Sequence, residues 1–221
     1  MIAENLALLR ESIPSDTVTI IAVTKTQPPE VIREAFAAGL SIMGENRVQE
    51  AAEKAAALSD LPLKWHLIGH LQTNKVRQAI ALFDLIHSLD SLRLATEIDR
   101  CAQNAGKLQN VLLQVNVAGE ETKSGVALDY AEELAALIEN LSHLRLCGVM
   151  TIAPFYADSE LTRPIFRATR ILFEKLKMKA THPESFQWLS MGMTHDYKIA
   201  VEEGANMVRI GTGLFGTRTI R

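Results

Sequence analysis

Cysteine is nearly absent: among 221 residues only Cys101 and Cys147 occur, far apart and without metal-ligand spacing. This argues against a disulfide framework and favours a reducing compartment. An excess of charge is missing too. Lys plus Arg number 23 and Asp plus Glu 26, a formal net charge of −3. Such a balance gives no global attraction to nucleic acid or to an anionic membrane surface, so any anion site must be local. No apolar run approaches the length of a membrane span. Residues 1–11 place Ile2, Leu6 and Leu9 on one helical face. Glu4, Glu11 and the shortness of the apolar runs argue against a signal peptide. A cytoplasmic protein is expected. Low-complexity tracts and Pro/Gly/Ser-rich linkers are also missing, so residues 1–221 read as one domain.

What the chain has is alternation. Hydrophobic residues make up 48% of it, enough for a substantial core. Strand candidates end near Val23, Met43, Leu67, His87, Val115, Met150, Leu189 and Ile210. Helical spacing fills the stretches between them, as at 127–140 and 165–179. Gly39, Gly106 and Gly204 each follow such a stretch, where a helix C-cap belongs. Eight strands alternating with helices at steps of roughly 20–40 residues predict an α/β fold, a (β/α)8 barrel; an open doubly wound sheet is the alternative.

Lys25 ends the segment Ile20-Ile21-Ala22-Val23-Thr24-Lys25. A β-branched run of this kind reads as a strand buried on both faces. A lysine buried at its carboxyl end loses its preference for the ammonium form and becomes an amine able to attack a carbonyl, the setting of a Schiff-base lysine. A snorkelling lysine at a sheet edge is the plainer alternative.

Gly211 to Gly216 spell G-x-G-x-x-G directly after a strand. Five residues remain, too few for the crossover helix and second strand of a dinucleotide fold. The turn after the last strand of a barrel is instead a common phosphate position, where glycines let backbone N–H groups approach the oxygens. The stretch Leu189-Ser190-Met191-Gly192-Met193-Thr194-His195-Asp196 offers a second such loop. Ser190 and Thr194 are its hydroxyl donors, and Thr194 or Asp196 could cap the helix that follows. His66 and His70 stand four apart, but Gly69 breaks the helix a metal pair would need, so metal is not expected. Asn46, in Gly44-Glu45-Asn46-Arg47, reads either as a ligand donor or as a helix cap.

These motifs, with Trp65 to Lys75, Gly148-Val149-Met150-Thr151 and Val208-Arg209-Ile210-Gly211-Thr212, resemble the pyridoxal phosphate homeostasis family over nearly the whole chain. The resemblance implies a single-domain (β/α)8 TIM barrel of the alanine-racemase N-terminal-domain type. It implies pyridoxal 5′-phosphate (PLP) on Lys25, Arg209 facing the pyridine nitrogen, Ser190, Thr194, Gly211 and Thr212 around the phosphate, and Asn46 and Met150 near the ring. It implies a role in vitamin B6 and amino/keto-acid homeostasis without robust turnover. A monomer is favoured, with PLP-dependent apoenzymes as partners. Two rival readings are a PLP enzyme such as an amino-acid racemase and a cofactor-free Schiff-base aldolase. A rim salt bridge of Arg209 with Glu202 or Glu203 is the alternative for that residue.

Overall fold

The computed structural model describes residues 1–13, 17–120 and 123–216. In chain order they form α1 (Ile2–Ser12), β1 (Thr19–Val23), α2 (Pro29–Ala37), β2 (Ile42–Glu45), α3 (Val48–Ala57), β3 (Lys64–Leu67), α4 (Val76–Leu82), β4 (Leu85–Leu89), α5 (Leu92–Asn104) and β5 (Gln109–Asn116). There follow β6 (Val126–Ala127), α6 (Ala131–Ile138), β7 (Leu144–Thr151), α7 (Arg163–Lys179), β8 (Trp188–Met193), α8 (Tyr197–Glu202), β9 (Met207–Ile210) and α9 (Thr212–Phe215). The strand order is β4-β3-β2-β1-β9-β8-β7-β5-β6, and pairing of β4 with β5 closes the ring. Every pairing is parallel. Eight strands make the barrel; β6 is a two-residue addition on β5. The open-sheet alternative is excluded by that closure.

Alternation divides the buried side chains into two sets. One packs between strands and helices, with Met43, Trp65, Leu67, Ile86 and Val208 among its members. The smaller set fills the lumen: Ile21, Leu85, Leu112, Cys147, Met150 and Met207. The outer ring has an unusual member. Among the described residues only the short α9 follows β9, where the outer ring would otherwise carry a full helix. The amino-terminal α1 takes that place, burying Ile2, Leu6 and Leu9. Asn5 Nδ2 donates to the Leu214 carbonyl at 2.9 Å, and the Ser12 hydroxyl lies 2.6 Å from that of Tyr197. Burying each of those aliphatic side chains is worth about 1.5–3 kcal/mol.

Gly39, Gly106 and Gly204 all have positive φ just past α2, α5 and α8, as the cap reading requires. Two expected boundaries differ. The helix expected over 127–140 begins at Ala131, because Val126 and Ala127 pair with β5 and leave Leu128 half-exposed. The eighth strand runs on to Met193, four residues beyond Leu189. Ser190 therefore belongs to the strand rather than to the loop after it. Among the described residues no helix is long and apolar enough to cross a membrane.

Candidate functional site

At the carboxyl ends of the strands, two adjoining hollows of about 250 and 320 Å³ share Val23, Lys25, Met193 and Arg209. The first is walled by Thr194, His195, Gly211, Thr212 and Phe215. The second is walled by Asn46, Ile68, Gly69, His70, Gln114 and Lys123. A larger cavity of about 420 Å³, beside Arg10, Ile20 and Ile42, lies at the opposite end, where the strands begin, and holds no such set.

Lys25 sits in the turn after β1, half-buried rather than enclosed. The expectation of a lysine buried at the strand end is thus corrected: the strand stops at Val23, and two further residues bring the side chain to the mouth. Thr194 and the glycine turn face each other across the first hollow, joined by Gly213 N–H donating to Thr194 Oγ1 at 3.2 Å. Asn46 lines the second hollow and does not cap α3, whose N-cap is Arg47. Gly69 is what lets the β3 loop close on it, since a Cβ there would lie 2.4 Å from the Asn46 carbonyl. Asp196 does hold the N-cap position of α8, but its side chain makes no capping bond to the helix; its carboxylate accepts from Met193 N–H at 2.6 Å.

Two expected residues lie elsewhere. Met150 is fully buried in the lumen cluster and lines neither hollow. Ser190 is also fully buried and lines neither hollow, and its hydroxyl accepts from Arg209. Arg209 Nη1 donates to Ser190 Oγ at 2.7 Å and Nη2 to the Thr151 carbonyl at 2.8 Å. The rim salt bridge is overturned: Glu202 and Glu203 pair with Arg163, and Glu203 also with Arg167. Burial lowers the Arg209 pKa to about 10, with Asp196 opposing, so the guanidinium stays charged at neutral pH.

Sequence reasoning missed what stands behind Arg209. Ser190 Oγ lies 3.1 Å from His87 Nδ1, and His87 Nε2 lies 3.1 Å from His66 Nδ1. Arginine only donates, so Ser190 accepts from it and keeps its own proton to donate. Donated to His87 Nδ1, that proton makes His87 the Nε2–H tautomer and His66 Nδ1 its acceptor. Both rings are held neutral. Burial, then Lys64, brings His66 down to about 3. Burial, then the charges of His66 and Arg209, puts His87 well below its ordinary 6.5. The signal was available in strand alternation, which turns both histidines inward.

These histidines predict an acid limb in stability. Unfolded, each binds a proton near pH 6.5; folded, His66 does so only near 3. The unfolded state therefore holds more protons in between, and stability falls as pH drops below 6.5, by up to about 1.4 kcal/mol per pH unit per ring. Glu45 and Asp196, raised by burial, act in the opposite sense. Comparison with a His66→Asn/His87→Gln variant cancels them. Urea unfolding at pH 6.5, 5.5 and 4.5 should show a flatter limb in the variant; an identical slope would exclude the pair as its source.

A family model described as "Alanine racemase, N-terminal domain" matches residues 1–219. The pyridoxal phosphate homeostasis protein of Aquifex aeolicus is 48% identical over 199 residues, covering 90% of this chain and 86% of that protein. The chain belongs to the pyridoxal phosphate homeostasis protein family. Within the family, PipY of Synechococcus elongatus PCC7942, solved with PLP bound, superposes with a TM-score of 0.89 at 42% identity, covering 98% of this chain and all of that one. The alanine racemase of Clostridium difficile 630, in complex with cycloserine, is 16% identical with a TM-score of 0.80. It shares the barrel; this chain covers 60% of its length and is itself covered to 99%.

Proposed function

We propose that the protein binds pyridoxal 5′-phosphate on Lys25 and serves intracellular vitamin B6 and amino/keto-acid homeostasis. It acts as one cofactor-binding unit over residues 1–221, monomeric and cytoplasmic, without robust turnover. The observation that carries this reading is the shared wall: Lys25 and Arg209 border both hollows, with the glycine turn on one side and Asn46 on the other. When bound, the cofactor supplies an aldehyde to an amine and an electron-accepting ring. The chain does the rest. Lys25 offers its amine at the mouth. Thr194, Gly211 and Thr212 offer donors to the phosphate. Arg209, fixed by Ser190 and Thr151, can only donate, so a ring nitrogen facing it must keep its lone pair. That weakens the electron sink on which transaminases depend.

Titration of the purified protein with PLP should produce a visible band, and borohydride should fix it permanently to Lys25. A protein that stays colourless would sink the reading, and a Schiff-base aldolase would then be the candidate. Amino acids incubated with the loaded protein should racemise no faster than with a Lys25→Ala variant; faster turnover would make it a racemase.

The phosphate turn has its own signature. Thr212 is exposed at the head of α9 and lines the first hollow. Losing one hydroxyl donor to a charged acceptor costs about 1.5–3 kcal/mol, so Thr212→Ala should weaken PLP binding roughly 10- to 150-fold. Pyridoxal, which lacks the phosphate, should bind as before. Equal weakening of both ligands would remove this turn from the phosphate site. Ser190→Ala is expected to weaken both, because that hydroxyl acts through Arg209.

A further inference from the structure

The turn that carries Lys25 is strained and is held from outside the barrel. Gln27 N–H donates to the Thr24 carbonyl at 2.9 Å, closing a turn whose second central residue, Thr26, has φ +66°. That conformation ordinarily selects glycine or asparagine. Threonine, β-branched, keeps it only if neighbouring groups over-determine it.

The neighbours come from α3 and the end of β2. Gly44 faces the lumen, where a Cβ would lie 2.7 Å from the Ile21 side chain, so Glu45 points the other way, between strand and helix. There it is fully buried. Lys54, also buried, places Nζ 2.7 Å from Glu45 Oε1, 2.6 Å from Glu50 Oε1 and 2.7 Å from the Thr24 carbonyl. Thr24 Oγ1 donates to Glu45 Oε1 at 2.6 Å, and Thr26 N–H donates to Glu50 Oε1 at 2.5 Å. The Thr24 carbonyl and the Thr26 N–H belong to the two peptide units that flank Lys25. The network therefore grips both sides of that residue and touches nothing in either hollow.

A purely structural role explains this poorly. Buried ion pairs add little stability over apolar packing of equal volume. Glu45 keeps its second oxygen, Oε2, buried without a partner among the described residues. Burial pushes the Glu45 carboxyl up against the pull of Lys54 and Thr24. An arrangement this costly makes sense where a particular backbone geometry is required.

We propose that Glu45, Glu50 and Lys54 are positioning residues that hold the Lys25 turn in its left-handed form, aiming the amine at the carbonyl carbon of a bound aldehyde. The inference rests on the PLP reading above. It predicts that the network governs covalent capture and leaves recognition of the phosphate ester alone.

The test uses Glu50→Ala, which frees the Thr26 N–H while leaving Lys54 paired with Glu45, at a partly exposed helical position that tolerates alanine. Glu45→Gln/Lys54→Met, neutral and similar in volume, attacks the same turn through Thr24. Each variant is titrated with PLP and with pyridoxine 5′-phosphate, whose alcohol cannot react with an amine. PLP affinity and the borohydride-fixed fraction should fall about tenfold, the effect of one lost hydrogen bond to a charged group, and pyridoxine 5′-phosphate affinity should stay within about twofold. Adding Thr26→Gly to Glu50→Ala should recover much of the loss, since glycine holds φ +66° unaided. Equal weakening of both esters, or no change in PLP capture, would overturn the proposal. A native protein that took up neither ester would overturn the cofactor reading itself, a result visible before any variant is made.

Discussion

Lys25→Ala should abolish the borohydride-stable adduct completely while leaving the fold intact. The side chain is half-buried at the mouth, and the turn beneath it is held by Thr24, Thr26, Glu50 and Lys54 rather than by the Lys25 amine. Truncating it should shift stability by no more than about 0.5 kcal/mol, as for a surface position. Noncovalent PLP binding should survive, because the glycine turn, Thr194 and Arg209 remain. Intact-mass measurement after borohydride reduction reads the adduct directly, and a thermal unfolding curve checks the fold. An adduct of undiminished yield in the variant would move the attachment to another amine, with Lys123 in the wall of the second hollow the first to examine.

Arg209→Gln should have the next largest effect, and on two quantities at once. The guanidinium is nearly inaccessible, and its removal takes the side-chain donor from the buried Thr151 carbonyl and one of two partners from the Ser190 hydroxyl, which keeps His87. Each unsatisfied buried group costs about 1–3 kcal/mol. For a chain of this size about 1 kcal/mol lowers Tm by roughly 2–4 °C, so a fall on the order of 10 °C is expected. That loss would follow wherever the cofactor sat. The discriminating quantity is optical. With no obligatory donor facing it, the ring nitrogen becomes free to take a proton, so the visible band of bound PLP should shift and gain a pH dependence absent from the native protein. The native protein should show negligible transaminase activity for the same reason. An unchanged spectrum together with unchanged PLP affinity would remove Arg209 from the site and leave it a structural residue of the lumen.

Much of this was legible in the amino-acid order. Parallel barrel strands are buried on both faces, so they are written as short apolar runs, and eight such runs separated by helical spacing left few architectures. The turn residues were legible for the same kind of local reason. A glycine pair after the last strand and a lysine after the first are positions set by chain order, and Lys25, Thr194, Gly211 and Thr212 do meet around one hollow, with Asn46 and Arg209 adjoining. Alternation along β9 puts Arg209 on the same face as Met207, and both side chains lie in the lumen.

What the order of residues left open was where each strand stops and what lies across the barrel from it. Four extra residues of β8 moved Ser190 from a loop into the lumen, because pairing with β9 continues to Met193 through an irregular register that sequence spacing does not encode. Met150 went with it into the lumen packing. The Arg209–Ser190–His87–His66 line joins four residues from β9, β8, β4 and β3, and the Lys54 network reaches Thr24 from thirty positions away. The His87–Ser190 contact spans the lumen and arises only when the ring closes, while the others arise when neighbouring strands and helices pack. Local propensity and alternation determined the elements and the faces they bury; packing and closure of the barrel decided which polar groups would be neighbours, and so which side chains hold the site rather than form it.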